Sequence, residues 1–218
     1  MNCAYILLDL DGTLTDSGHG ITRSVQYALR RHGIEVEDLN ELVCFIGPPL
    51  VESFQVFYGF SPEEAVECVH DYRVFYKDEG IFDNRLYPGI AEMMRQLKDA
   101  GKTISLATNK PEVFARQILK YFEIDSYFDE IVGCGMDESH LTKEDILEEV
   151  FRRLGMGPEE RQQTVMVGDR KYDITAAKHW GTSSVGVTYG FAPEGELASA
   201  DADALAATVP ELTEILLG

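Results

Sequence analysis

Short apolar runs recur along the chain, and several stop at a polar or charged residue. Residues 4–8 (Ala-Tyr-Ile-Leu-Leu) stop at Asp9, residues 103–107 (Thr-Ile-Ser-Leu-Ala) at Thr108, and residues 164–167 (Thr-Val-Met-Val) at Gly168-Asp169. Residues 128–132 and 184–187 give two more runs. Runs of this length, without strict alternation, suit strands buried on both faces of a parallel sheet. Helical patterns lie between them. Residues 90–100 follow Pro88-Gly89 and stop before Gly101, and residues 112–121 follow Pro111, a residue favoured at a first helical position. Ile146, Val150 and Leu154 share one helix face, with Thr142 placed as N-cap and Gly155 as stop. Strand and helix therefore alternate from about residue 86 onward, which predicts an α/β fold with a Rossmann-like parallel sheet and helices on both faces.

Residues 17–85 break that alternation. Ile21, Val25, Ala28 and Leu29 form a helical stripe ending at Gly33. Ser61-Pro62-Glu63-Glu64 is a helix start, with Ser61 as N-cap, Pro62 at the first position and Glu64 completing a capping box. No strand stands out there. The predicted organisation is an α/β core of residues 1–16 and 86–218, with a small α-helical cap, residues 17–85, inserted after the first strand.

Composition narrows the partners. A hydrophobic fraction of 44% supports a proper core, and a formal net charge of -19 repels nucleic acid polymers and anionic membranes. A small anionic substrate stays admissible, because a local cation or metal overrules the global field inside one cleft. No apolar stretch approaches the ~18 residues of a membrane span. The start Met1-Asn2-Cys3 lacks the basic opening of a signal peptide. The four cysteines show no C-x-x-C spacing and read as reduced thiols of a cytoplasmic protein. The expected species is a monomer or weak homodimer.

Ligands of open parallel α/β sheets gather at the carboxyl ends of the strands. Those ends are Asp9, Thr108 and Gly168-Asp169. In Asp9-Leu10-Asp11-Gly12-Thr13, residues two apart on an extended chain point the same way, so two carboxylates would face one cleft. A divalent cation, with Mg²⁺ the natural candidate, would offset that charge; a surface turn explains an isolated Asp-x-Asp-Gly equally well. Asp169 and Asp173 repeat the pattern after a second strand, where an N-terminal helix cap is the plainer alternative. Two acidic strand ends in one sheet favour a metal site. Thr108 and Asn109 offer a hydroxyl and an amide to phosphate oxygens, or else cap a helix. Lys143 is either a solvated lysine in a first helical turn or the extra cation that an anionic substrate needs.

Asp9-x-Asp11-Gly12-Thr13-Leu14-Thr15, Thr108, Lys143 and Gly168-Asp169-x3-Asp173 resemble, in order, the four motifs of the haloacid dehalogenase-like hydrolases. The resemblance spans essentially the whole chain and includes the helical insertion, which looks like that family's cap. Within the family the chain is similar to phosphoglycolate phosphatase-like proteins. Phe45-Ile46-Gly47-Pro48-Pro49-Leu50, Tyr87-Pro88-Gly89 and Thr108-Asn109-Lys110-Pro111 resemble the branch called 5′-nucleotidase-like. One departure is Glu144 after Lys143, where the family often has proline. The resemblance implies a phosphomonoester hydrolase acting on a small phosphorylated metabolite, with Asp9 as nucleophile and Asp11 as acid/base. It implies Mg²⁺ held by the Asp9 carboxylate, the Asp11 backbone carbonyl and Asp169, with Asp173 close by or bound through water. Thr108, Asn109 and Lys143 would bind the transferring oxygens.

The substrate favoured is a nucleoside 5′-monophosphate, beyond the uncharged Gly47-Pro48-Pro49 loop. Phe54, Phe57 and Tyr58 read first as the cap's own core, and alternatively could stack a base. The alternative is phosphoglycolate, whose carboxylate Arg23 or Arg73 would meet. Asp11 speaks against haloalkanoate dehalogenation, which has no leaving oxygen to protonate. The lack of Arg or Lys in residues 47–53 speaks against a sugar phosphomutase. A phospho-receiver-like binding module is the rival from another class, disfavoured by the second acidic motif and the insertion. Gly133-x-Gly135 lacks the third glycine and acidic partner of a dinucleotide fingerprint.

Overall fold

The structure is a computed structural model that describes residues 3–136 and 142–218. Met1 and Asn2, part of the start read above for a signal peptide, lie outside the described residues. The strands are β1 (Tyr5–Leu8), β2 (Thr15–Asp16), β3 (Arg85–Leu86), β4 (Thr103–Pro111), β5 (Glu130–Cys134), β6 (Thr164–Gly168), β7 (Ser183–Val187) and β8 (Ala204–Ala206). The helices are α1 (Gly18–Arg31), α2 (Leu50–Tyr58), α3 (Pro62–Tyr76), α4 (Ile90–Asp99), α5 (Glu112–Tyr121), α6 (Lys143–Leu154), α7 (Pro158–Gln162), α8 (Lys171–Trp180), α9 (Glu196–Ser199) and α10 (Val209–Leu217). The chain divides into two compact units: Asp16–Arg85, and the described chain on either side of it.

The larger unit holds a six-stranded sheet in the order β5-β4-β1-β6-β7-β8. Every pairing is parallel. β1 lies inside the sheet, with Tyr5 in register with Thr103 of β4 and Thr164 of β6. Alternation along β1 splits its apolar side chains between two faces. Leu7 joins Met166, Ile146, Val150, Phe151 and Ala177 in the core that α6 and α8 cover. Ile6 and Leu8 point the other way and are equally buried. α10 packs on α4, whose Ile90, Met93, Met94 and Leu97 are buried.

Three elements depart from expectation. β8 is a sixth strand, short and without a strong apolar run, so it left no pattern to read. β4 continues through Thr108 to Pro111, with its register shifting between Ala107 and Pro111. Pro111 is accordingly the last strand residue and the N-cap of α5, not a first helical residue. The capping boxes at Ser61–Glu64 and Thr142–Asp145 are present, and Gly155 takes the left-handed conformation as C-cap.

The smaller unit is helical, but the two-residue strands β2 and β3 pair where the chain enters and leaves it. Arg85 clasps Asp16 Oδ2 there through Nη2 at 2.6 Å and Nε at 3.0 Å. α1 packs on α3, with Tyr27 stacked on Phe75 at 5.0 Å. Phe54 has no exposed surface and rests on Phe45 at 4.9 Å and Phe60 at 6.0 Å. Phe54 is therefore core of this unit, as the plainer reading of the aromatics has it, and is not presented to a ligand as a stacking platform. Among the described residues no helix is long and apolar enough to cross a membrane.

Gly20, in α1, yields the first test. A helical glycine replaced by alanine ordinarily gains up to about 1 kcal/mol. Here an added Cβ would sit 2.1 Å from Gly80 O and 2.7 Å from Asp83 O. Both contacts are backbone, so no side chain can yield. Gly20→Ala should therefore destabilise by about 1–3 kcal/mol, the usual range for overpacking, seen as a lower urea midpoint. A raised midpoint would show that α1 and the Gly80 turn separate at little cost.

Candidate active site

β1 ends at Leu8, and the Asp9 amide continues the ladder by donating to Val167 O at 2.9 Å. The chain then turns: Leu14 and Thr15 amides both donate back to Leu10 O, at 2.9 and 3.0 Å. Within this turn Asp11 bridges Thr15. Asp9 faces the end of β6. Its carboxylate oxygen and those of Asp169 and Asp173 all lie within 4.8 Å of one another, and all three residues are buried. Asp11 instead meets Lys110, with Nζ 2.6 Å from Oδ2.

Lys143, the first residue of α6, is buried and not solvated. Its Nζ lies 3.1 Å from Asp9 Oδ1 and 2.9 Å from Asp173 Oδ1, and donates to Ala107 O at 2.9 Å. The cap and site readings of Asp173 hold together: Oδ2 accepts from Arg170 N at 3.1 Å, closing the start of α8, while Oδ1 faces Lys143. Thr108 is buried, and its Oγ1 accepts from Lys110 N at 3.3 Å. Asn109 is half-buried beside it. Gly47 and Arg23 belong to the smaller unit. Arg23 is committed within that unit, 3.2 Å from Asp83 Oδ2, 3.6 Å from Glu79 Oε2 and 5.3 Å over the Phe75 ring.

Glycines make room for the acidic cluster. A Cβ on Gly12, whose φ is +79°, would fall 2.0 Å from Asp169 Oδ2. A Cβ on Gly190 would fall 2.4 Å from both Asp169 Cβ and Gly12 O. The same segment after β7 supplies Phe191 N, which donates to Asp169 Oδ2 at 2.7 Å, and Tyr189 Oη, which donates to Thr13 O at 3.0 Å. Gly190, Phe191 and Lys110 were not among the candidates read from the sequence. Lys110 had a usable signal, because it lies two residues past Thr108 and shares its side of an extended chain. Gly190 and Phe191 act through backbone and carried none.

Three buried carboxylates share one lysine, and the electrostatics register the imbalance. Burial, then the charges of Asp173 and Asp9, hold the Asp169 carboxyl well above its ordinary range. Burial lifts Asp173 to about 6, partly opposed by Lys143. Burial works against the Lys143 ammonium, but Asp173 and Asp9 outweigh it and leave its pKa raised. Asp169 Oδ1 is buried without a hydrogen-bond partner, and Asp9 Oδ1 and Asp173 Oδ1 meet only the shared Lys143 ammonium. Carboxylate oxygens of three residues converging with so little positive charge fit a hard divalent cation such as Mg²⁺, which takes oxygen ligands.

The Asp169 shift has a stability consequence in metal-free protein. A carboxyl whose pKa is raised on folding binds more protons folded than unfolded, so its favourable contribution is complete below the ordinary carboxylate range and is lost as pH rises through its folded pKa. Asp169→Asn should remove that loss. In chelator, the melting temperature of Asp169→Asn minus that of wild type should grow as pH rises from the carboxylate range to neutrality. Excess Mg²⁺ should reverse the difference, because wild type alone keeps the full donor set. A difference independent of pH would refute the assignment.

Residues 6–187 match the family model for haloacid dehalogenase-like hydrolases. The chain is similar to a 5′-nucleotidase of Pseudomonas aeruginosa, at 41% identity over 97% of this chain and 94% of that protein. It is also similar to the tyrosine-protein kinase PtkA of Mycobacterium tuberculosis, at 37% identity over 97% of this chain and 72% of that one. The crystal structure of a "predicted phosphatase" from Clostridium acetobutylicum superposes with a TM-score of 0.95 at 42% identity, covering 100% of this chain and 99% of that one. With its six-stranded parallel sheet and its acidic strand ends, the chain belongs to the haloacid dehalogenase-like hydrolases, and within them to the phosphatases.

Proposed function

We propose that this phosphatase hydrolyses a small phosphomonoester through a phosphoryl-aspartate on Asp9, with Mg²⁺ as its cofactor. The observation that carries the proposal is the different partnering of the Asp-x-Asp pair. Asp9 lies with Asp169, Asp173 and Lys143, while Asp11 pairs with Lys110. Two carboxylates in different surroundings can take different roles.

In the proposed sequence an Asp9 carboxylate oxygen attacks phosphorus in line, the bond from phosphorus to the leaving oxygen breaks, and Asp11 gives that oxygen a proton. Water then attacks phosphorus, Asp11 takes the proton, and the phosphorus–Asp9 oxygen bond breaks to release inorganic phosphate. Lys143 and Thr108 supply an ammonium and a hydroxyl to the transferring oxygens, with Asn109 beside them. A bound Mg²⁺, held by Asp9, Asp169 and the Asp11 carbonyl with Asp173 close by, would supply positive charge between nucleophile and phosphate. The unit Asp16–Arg85 would serve as the family's cap and choose the leaving group.

For the substrate we favour a nucleoside 5′-monophosphate over phosphoglycolate. The Gly47-Pro48-Pro49 loop carries no charge, and Phe57 stays 45% exposed one helical turn after buried Phe54. Arg23, one of the two arginines that could meet a glycolate carboxylate, is already paired with Asp83 and Glu79. The likeness to the Pseudomonas 5′-nucleotidase supports the same choice. We place the protein in the cytoplasm as a monomer or weak homodimer, on the absence of C-x-x-C spacing among its four cysteines.

Asp9→Asn should lower turnover of p-nitrophenyl phosphate by about three orders of magnitude or more, as loss of a covalent nucleophile does elsewhere, while keeping a wild-type circular dichroism spectrum. Rapid quench with a labelled ester should trap phosphate on wild type and none on Asp9→Asn. Label retained by the variant would refute Asp9 as nucleophile.

The substrate choice is tested by kcat/KM for nucleoside 5′-monophosphates and phosphoglycolate on wild type, Phe57→Ala and Arg23→Ala. The nucleotide should be preferred by at least about tenfold, a margin of ~1.4 kcal/mol in transition-state binding, and Phe57→Ala should erode it. A phosphoglycolate preference that vanishes in Arg23→Ala would reverse the choice and leave the phosphatase chemistry intact.

A further inference from the structure

We infer that Lys110 is a positioning residue for Asp11, holding the acid/base carboxylate apart from the metal-binding carboxylates. The inference rests on the roles proposed above for Asp9 and Asp11. Lys110 and Lys143 are the buried lysines among the described residues, and each serves one member of the Asp-x-Asp pair. Lys110 Nζ is 2.6 Å from Asp11 Oδ2, with side chains only 6% and 14% exposed. A lysine at the end of a strand has an easy route to water. Burying its ammonium against the Asp11 carboxylate is costly unless the placement itself is used.

The backbone is shaped for that placement. The register of β4 against β5 shifts between Ala107 and Pro111. Irregularities of this kind re-aim side chains beside active sites. Thr108 and Lys110 are both buried across the shift, and the Lys110 amide donates to Thr108 Oγ1. Gly133 of β5 provides the space: a Cβ there would lie 2.5 Å from Lys110 O and 2.7 Å from Glu112 N. The glycine that fits no dinucleotide fingerprint is the one against which the bulged end of β4 lies.

Lys110 would thereby fix Asp11 on the leaving-group side of the reacting phosphorus while Lys143 stays with Asp9. Losing it should impair proton transfer and spare attack and metal binding. Lys110→Met is compared with wild type on p-nitrophenyl phosphate, whose leaving group needs little protonation, and on an alkyl phosphate, whose leaving group needs it. The expected result is a loss of about 10²-fold on the alkyl ester, the low end of general acid–base effects, and less than about tenfold on the p-nitrophenol burst. The Mg²⁺ concentration that half-saturates the thermal shift should not move, and Lys110→Arg should recover part of the alkyl-ester rate. In an Asp11→Asn background Lys110→Met should add nothing, as expected when one residue acts through another. Lys110→Gln carries the same comparison should Lys110→Met not fold.

Equal losses on both esters, or an additive loss in the Asp11→Asn background, would overturn the inference. Weaker inhibition by inorganic phosphate with unchanged leaving-group dependence would also overturn it and assign Lys110 to the phosphate instead. Failure of the underlying mechanism appears separately, as turnover by Asp9→Asn.

Discussion

Asp9, Asp169 and Asp173 bring three carboxylates into one buried cluster with a single ammonium, Lys143, among them. Ionised groups packed so closely away from water repel one another strongly, and much of the surrounding structure can be understood as containment of that repulsion. The Phe191 amide donates to Asp169, the Arg170 amide to Asp173, and the Lys143 ammonium reaches two of the three residues. What remains is an excess of negative charge, with Asp169 Oδ1 buried and unpartnered, which is the electrostatic setting that suits a cation. Stability and chemistry pull in opposite directions here: the arrangement that costs folding energy is the one that gives an incoming cation and phosphate their binding energy.

Containment depends as much on missing atoms as on present ones. Gly12 and Gly190 let two backbone segments close against Asp169, and Gly168 lets the Asp173 side chain lie against the end of β6. Each glycine sits where the sheet's carboxyl edge must be crowded for the carboxylates to meet. The parallel sheet supplies the crowding, because its strands all end at the same edge and β1 is flanked on both sides.

The sheet and its acidic edge were legible because both leave side-chain patterns. Apolar runs ending at Asp9, Thr108 and Asp169 marked three neighbouring strands, and the structure brings Asp9, Asp169, Asp173 and Lys143 together there. The rest was illegible for definite reasons. β4 was cut at Ala107 because the apolar run ends there, whereas the strand is held to Pro111 by pairing with β5. Lys110 was thereby left outside the candidate set. β8 is three residues long at the sheet edge, too short to establish a period. Gly190 contributes an absent Cβ, which nothing in the sequence sets apart from that of the other glycines, and Phe191 an amide that every residue other than proline has. Phe54 and Phe57 look alike as letters, and only packing separates the buried ring from the exposed one.

The central place of β1 also constrains how the protein comes into being during synthesis. β1 precedes its two neighbours, Thr103–Pro111 and Thr164–Gly168, by a long stretch of chain, and the segment that closes over Asp169 follows them. Until then the apolar Ile6, Leu7 and Leu8 have no sheet to join. The helical unit Asp16–Arg85 has its own core and is complete in the chain before any of those strands exists. A ribosome-bound chain can therefore carry a folded helical unit before the sheet exists, and the acidic cluster can form only once the segment reaching Phe191 has been translated.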